Sequence, residues 1–191
     1  MLDLIVKIDH WLFLVINNRL SWEAIDSFFE EVSSLGAWPV GIIAFALLAG
    51  CGRRLMYRHV LLLVLAFAIV SPLNNMIKRV IARDRPEMVF AERIEDGTVT
   101  VRVLERKQPR RWSFPSGHSL TAFLFMTYTA LNKRAYRFWA YGLAFLIAYS
   151  RVYVGVHFPL DCLAGSLLGM AFGWLAWFAF KRLEKTREIE T

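Results

Sequence analysis

Cysteine is nearly absent: Cys51 and Cys162 are the only two in 191 residues, too few for a disulfide framework. Charge is thin as well, at 20% Asp, Glu, Lys and Arg against about 25% in an ordinary soluble domain. The first ten residues carry Asp3, Lys7 and Asp9 rather than a basic start followed by a clean apolar core, so no secretory signal is expected. These shortages, with the apolar content below, exclude a disulfide scaffold, a collagen-like repeat and a disordered chain.

What abounds is apolar side chain. Hydrophobic residues make up 57% of the chain and aromatics 15%, with mean hydropathy +0.41. An integral membrane protein is the class this composition implies. Against the sparse charge stands an excess of base, 23 Lys and Arg over 16 Asp and Glu, or net +7. Nucleic acid, anionic lipid and a phosphate substrate all fit such a balance. The placement of the charges decides among them.

Five stretches contain no Asp, Glu, Lys or Arg: Ser33 to Gly52, Val60 to Ile77, Trp112 to Asn132, Phe138 to Ser150 and Cys162 to Phe180. A helix crosses a bilayer with about 17–25 largely apolar residues. The fourth stretch reaches that length only with its flanking Tyr136, Arg137 and Arg151 to Tyr153, the arginines snorkelling at its ends. Residues 4–20 are a sixth apolar region, interrupted by Lys7, Asp9, His10, Asn17 and Asn18. Ile5, Ile8, Leu12 and Val15 recur there at helical spacing, which reads as an amphipathic helix in the interface, with a sixth span as the competing reading.

The expected fold is therefore an all-α, polytopic membrane helical bundle of five or six transmembrane helices. It forms one domain over residues 1–191, with an interfacial region at 1–32 and a tail at 181–191. Residues 87–111 form the one sizeable extramembrane piece. Val89 to Ile94 and Thr98 to Leu104 flank Glu95-Asp96-Gly97, which predicts a β-hairpin, with an irregular loop as the alternative.

Parity of crossing places the chemistry. The second span ends at Lys78, and Arg79 to Arg111 is too charged to cross, so the third span starts on the same side. The fourth returns to that side at Arg151, and the fifth leaves from it at Asp161. Lys78, His118, Arg151 and Asp161 are thus expected at one face. The opposite loops carry Arg53, Arg54, Arg58, Lys133, Arg134 and Arg137 without acids, which makes that face cytoplasmic. The two cysteines fall near opposite faces and are not expected to pair.

Three local patterns meet at the site face. Lys78 is followed after six residues by Arg85-Pro86; Pro115-Ser116-Gly117-His118 opens the third span; Ser150-Arg151 precedes His157 and Asp161. Each residue alone has a structural explanation: a snorkelling base, a helix cap, a first-turn acid. Together they fit attack on a phosphate. Lys78, Arg85 and Arg151 suit its oxygens. The helix start at Ser116, Gly117 and His118 is a natural anion site. One imidazole can attack phosphorus while the other protonates the leaving oxygen. Asp161, four residues after His157, can share its helical face and fix its tautomer. Arg79, Arg83, Arg110 and Arg111 either attract a second phosphate or headgroup or solvate the loop.

These three patterns resemble the signatures of the type 2 phosphatidic acid phosphatase family, over roughly residues 74–165. The resemblance implies His157 as a nucleophile forming a phosphohistidine, held by Asp161, with His118 protonating the leaving group. It implies Lys78, Arg85, Ser116, Gly117 and Arg151 as phosphate ligands, and neither metal nor cofactor. Membrane members have a helical core and an outward-facing site, which here implies a bacterial inner membrane protein with its site toward the periplasm. The implied partners are the bilayer and a lipid phosphate, with no nucleic acid and no obligate protein partner. Undecaprenyl diphosphate is the first expected substrate, ahead of phosphatidylglycerophosphate, phosphatidic acid and lipid A. A noncatalytic lipid-phosphate binder or transporter is the rival of another class. A serine hydrolase is disfavoured because no Gly-x-Ser-x-Gly elbow occurs in the chain, and a haloperoxidase because of the apolar spans.

Overall fold

The computed structural model describes residues 2–35, 40–44, 53–104 and 112–190, with backbone alone for 2, 53–55 and 186–190. Among the described residues the main helices are α1 (Leu2–Leu14), α2 (Asp26–Ser34), α3 (Arg53–Ile81), α4 (Gly117–Asn132), α5 (Arg137–Tyr153) and α6 (Pro159–Glu190). A π-helical turn, Val15–Arg19, extends α1, and two short helices, Pro86–Val89 and Ala91–Glu95, follow α3. No strand occurs among the described residues.

Helix α4 is the centre of the bundle. One of its faces, Leu120, Leu124 and Tyr128, packs with Leu63 and Val70 of α3 and Ala176 and Phe180 of α6. The other, Ala122, Met126 and Ala130, packs with Ala140, Ala144 and Ile147 of α5. Against α6 the approach is backbone to backbone. A Cβ at Gly165, Gly169 or Gly173 would lie 2.3, 2.2 or 2.6 Å from the carbonyl oxygen of Ser116, Leu120 or Leu124. Glycine every fourth residue clears one stripe of α6, and close contact replaces the hydrophobic drive that a bilayer does not supply.

The outer helices meet a different solvent. α3 and α6 are long and apolar enough to cross a membrane, with mean hydropathy 2.2 and 1.6 in their apolar stretches. Only 22% and 33% of those stretches is buried inside the protein. Apolar surface left outside on this scale fits lipid rather than water. The third expected span begins at Gly117, not Trp112, because Ser116 caps the helix there: its Oγ accepts the Ser119 N–H at 3.4 Å. The first expected span lies largely outside the described residues, of which 40–44 are helical with Val40 and Ala44 buried.

Two expectations need correction. Residues 89–94 are not a strand; they lie in the two short helices and the turn at Phe90 between them. Pro86 suits a first helical position, Arg85 before it is extended, and Phe90 is buried against Phe13 and Phe158. The segment 98–104 is irregular rather than paired with a strand. Asn17 takes the place of a partner strand, donating to the Arg102 carbonyl at 2.9 Å and accepting the Arg102 N–H at 2.8 Å. Gly155 lies over the same stretch with φ +85°, where an added Cβ would be 2.1 Å from the Arg102 oxygen.

The N-terminal region also does more than lie on a surface. Helix α1 turns Asp9, Phe13 and Asn17 inward, each at most 2% exposed, and leaves Leu4, Ile5, Ile8 and Trp11 outside. Two buried polar side chains thus accompany Phe13 against the bundle, while a set of large apolar side chains stays outside.

Candidate active site

Every expected site residue lies at one end of the bundle, where four helix ends meet. Lys78 is in the last turn of α3, Arg85 caps the following short helix, and Ser116, Gly117 and His118 open α4. Arg151 closes α5, His157 sits in the α5–α6 connection, and Asp161 is in the first turn of α6. The Ser116 N–H donates to the Asp161 carbonyl at 2.9 Å, which ties the start of α4 to the start of α6. That bond occupies one of the three backbone donors expected for an anion. Gly117 and His118 contribute first-turn N–H groups, which a helix does not pair internally.

The basic groups are held by backbone oxygens. Lys78 Nζ donates to the carbonyls of Trp112 and Ser113 at 3.1 and 3.3 Å, and Arg85 donates to Val156 O at 2.9 Å. Arg151, wholly buried, donates to the Ser33 carbonyl at 3.1 Å and to the Ser33 hydroxyl. His118 lies within electrostatic reach of Arg151, His157, Lys78 and Arg85. Fixed positive charge around two imidazoles is suited to gathering a phosphate dianion.

His157 and Asp161 form the oriented pair. His157 Nδ1 is 3.5 Å from Asp161 Oδ2, so Nε2 is the nitrogen on the far side of the ring. Burial pushes the imidazole down to about 4, against the opposing pull of Asp161. A neutral, desolvated imidazole with a carboxylate behind it is a poised nucleophile. The carboxylate is itself fixed: Oδ2 accepts the Phe158 N–H at 2.8 Å, the acid half of a capping box at the start of α6.

Sequence reasoning did not find two residues behind that carboxylate. Arg83 donates to Asp161 Oδ1 at 2.7 Å and to Asp9 Oδ2 at 2.5 Å, so it is an internal bridge rather than a loop cation. Asp9 also accepts the Leu160 N–H at 2.8 Å. The available signal was an acid inside the apolar stretch 4–20. Arg79 is exposed, and Arg110 and Arg111 lie outside the described residues, as does Cys51. Cys162 is a buried free thiol.

A cavity of about 230 Å³ opens beside the site, lined by Ser71, Asn74, Asn75 and Lys78 of α3 and by Gly117 and His118 of α4. Asn74 is buried, and its Oδ1 has no hydrogen-bond partner among the described residues. Polar side chains inside an apolar helix normally mark a functional path. Their spacing, 71, 74, 75 and 78, is a helical stripe that was readable in the sequence. No group of three His, Cys, Asp or Glu residues able to hold a metal ion occurs among the described residues.

The chain is similar to several known proteins. An undecaprenyl-diphosphatase of Sulfolobus acidocaldarius is 35% identical over 130 residues, 67% of this chain and 56% of that protein. Phosphatidylglycerophosphatase B of Bacillus subtilis is 30% identical over 139 residues, 67% of this chain and 61% of that protein. The chain thus matches less than two thirds of the length of these curated relatives. The crystal structure of Aquifex aeolicus LpxE superposes with TM-score 0.64 at 31% identity, covering 86% of this chain and 92% of that one. A transmembrane PAP2 type phosphatidylglycerolphosphate phosphatase from Bacillus subtilis has the same fold, with TM-score 0.70 over 96% of this chain and 88% of that one, at 24% identity. The family model of the PAP2 superfamily matches residues 59–185, from the first third of α3 to the last turns of α6, and the chain belongs to that superfamily.

Proposed function

We propose that this protein is a multi-pass membrane phosphatase that removes the terminal phosphate of a lipid through a phosphohistidine, without metal or cofactor. The observation that carries the reading is the pairing of buried His157 with Asp161 beside His118 and three basic side chains.

Lys78, Arg85, Arg151 and the first-turn N–H groups of Gly117 and His118 hold the nonbridging oxygens, and Ser116 supports that turn as its cap. His157 Nε2 attacks phosphorus. The N–P bond forms as the P–O bond to the lipid breaks, and His118 gives its proton to the leaving oxygen. The phosphorylated ring keeps its Nδ1–H and carries positive charge, which Asp161 stabilises. Water then attacks phosphorus and gives its proton to His118, and the N–P bond breaks to return a neutral imidazole. Phosphate monoesters need acceleration of up to ~10²¹-fold. A covalent step within preorganised cations is one route to it.

Undecaprenyl diphosphate, giving undecaprenyl phosphate, is the substrate proposed first, from the relative that bears that activity in its name. Phosphatidylglycerophosphate, phosphatidic acid and lipid A follow, and two of these also have named relatives. The cavity next to His118, with Asn74 and Asn75 beside apolar Phe67 and Leu120, suits a leaving group whose polar linkage continues into a lipid tail. The reading takes five spans, with α1 in the interface and the site toward the periplasm of a bacterial inner membrane; the basic short loops, cytoplasmic in that orientation, support it. Phosphate release from a panel of these four lipids by the detergent-purified protein tests the reading. Turnover with an acid-labile, base-stable phosphoryl label on His157 is expected. Lipid binding without release would replace it with the noncatalytic binder.

A further inference from the structure

We propose that Asp9 and Arg83 are positioning residues for phosphoryl transfer: Arg83 aims the Asp161 carboxylate at His157, and Asp9 keeps that carboxylate's charge available. The inference rests on the phosphatase reading above and deepens it. Asp9 lies on α1, outside residues 59–185 matched by the family model.

The argument starts from the two oxygens of Asp161. Oδ2 accepts the Phe158 N–H at 2.8 Å and faces His157 Nδ1 at 3.5 Å. Oδ1 accepts from Arg83 at 2.7 Å. With both oxygens engaged the carboxylate cannot turn away from the imidazole. Remove Arg83 and only the Phe158 bond resists rotation.

Arg83 is fixed in turn from three directions. Its guanidinium lies 4.2 Å over the Phe158 ring, and His10 of α1 stacks on the same ring with centroids 4.8 Å apart. Its carbonyl accepts the Ser113 N–H at 2.7 Å, and the Ser113 carbonyl accepts a hydrogen bond from Lys78 Nζ at 3.3 Å. Asp9 holds the second guanidinium nitrogen at 2.5 Å.

Charge gives Asp9 its own part. Arg83 facing Asp161 alone would form a neutral pair, with little left to stabilise a cationic phosphohistidine. Asp9, Arg83 and Asp161 together carry net −1. Asp9 is 2% and Asp161 0% exposed, so this charge acts with little screening. Burying such a triplet is costly and a poor source of stability. Orientation of the catalytic pair gives it a use. A carboxylate from α1 also accepts Leu160 N–H, which locks the start of α6 on which Asp161 rides.

The test compares Asp9→Asn, Asp9→Glu and Arg83→Lys in the full-length purified protein, using rapid-quench formation of phosphohistidine from a labelled lipid phosphate. Rates are normalised to folded protein from size exclusion. Asp9→Asn and Arg83→Lys are expected to slow phosphorylation about tenfold or more with KM changed less than about threefold. Asp9→Glu, which keeps the charge, is expected to stay within a few-fold of wild type. An Asp9→Asn rate equal to wild type, equal losses in Asp9→Asn and Asp9→Glu, or a loss confined to KM would overturn the assignment. A wild-type protein that forms no phosphohistidine overturns the phosphatase reading itself.

Discussion

Gly165→Ala is the most direct probe of how packing sets the site. The new Cβ would sit 2.3 Å from Ser116 O and 3.2 Å from Ser116 C, where side chains keep at least about 3 Å. The obstacle is backbone, so α6 must retreat from α4 by about 1 Å. Overpacking of this kind costs about 1–3 kcal/mol. Stretching the hydrogen bond from Ser116 N–H to Asp161 O, now 2.9 Å, adds about 1 kcal/mol. For a chain of this size the sum lowers Tm by roughly 4–16 °C. The effect on turnover is larger, because Ser116, Gly117 and His118 sit on one side of the gap and Asp161 on the other. A misplacement of about 1 Å costs on the order of 100-fold. Melting in detergent and phosphate release per folded protein measure the two effects. Gly142→Ala is the control: nothing lies within 4 Å of its Cβ, and a mid-helix alanine there should leave stability equal or up to about 1 kcal/mol higher. A Gly165→Ala protein that melts and turns over like wild type would refute the claim that this contact sets the site geometry.

The remaining expectations concern the chemistry. His157→Ala should abolish the phosphoryl label and phosphate release in protein that still elutes as folded. His118→Ala should lose most activity on lipids yet recover part of it on p-nitrophenyl phosphate, whose leaving group needs no proton; equal losses on both would count against the acid role. Lys78→Ala and Arg151→Ala should lower kcat and raise KM together, since phosphate oxygens are bound in ground and transition states alike. For pH, the folded His157 is held down to about 4 against 6.5 for a free imidazole. Its neutral form is favoured by folding, so its contribution to stability is complete above pH 6.5 and lost as pH falls toward 4. Melting curves should show wild type losing more stability over that interval than His157→Ala, and parallel curves would contradict the shift.

The legible part of this protein was written in short-range pattern. Charge-free runs marked the helices because hydrocarbon tolerates few charges, and parity of crossing then brought Lys78, His118, Arg151 and Asp161 to one end. The four-residue step from His157 to Asp161 and the cap at Ser116 follow from helix geometry alone. Two features were equally local and passed unread: the Gly165, Gly169, Gly173 stripe and the polar stripe from Ser71 to Lys78. The hairpin misreading had a physical source. β-branched residues at 98–104 do favour extension, but an extended chain needs partners, and the amide of Asn17 supplied them in place of a strand.

The sequence by itself determined the helical character of the described residues and which side chains are candidates for a phosphate, because both arise within a few residues of one another. Tertiary structure alone decided what stands behind them. Ser33 reaches Arg151, Asp9 reaches Arg83 and Leu160, and Arg83 reaches Asp161 across 118, 74, 151 and 78 residues of chain. No period or spacing encodes such pairs, since a buried charge finds its partner through the packing of whole helices.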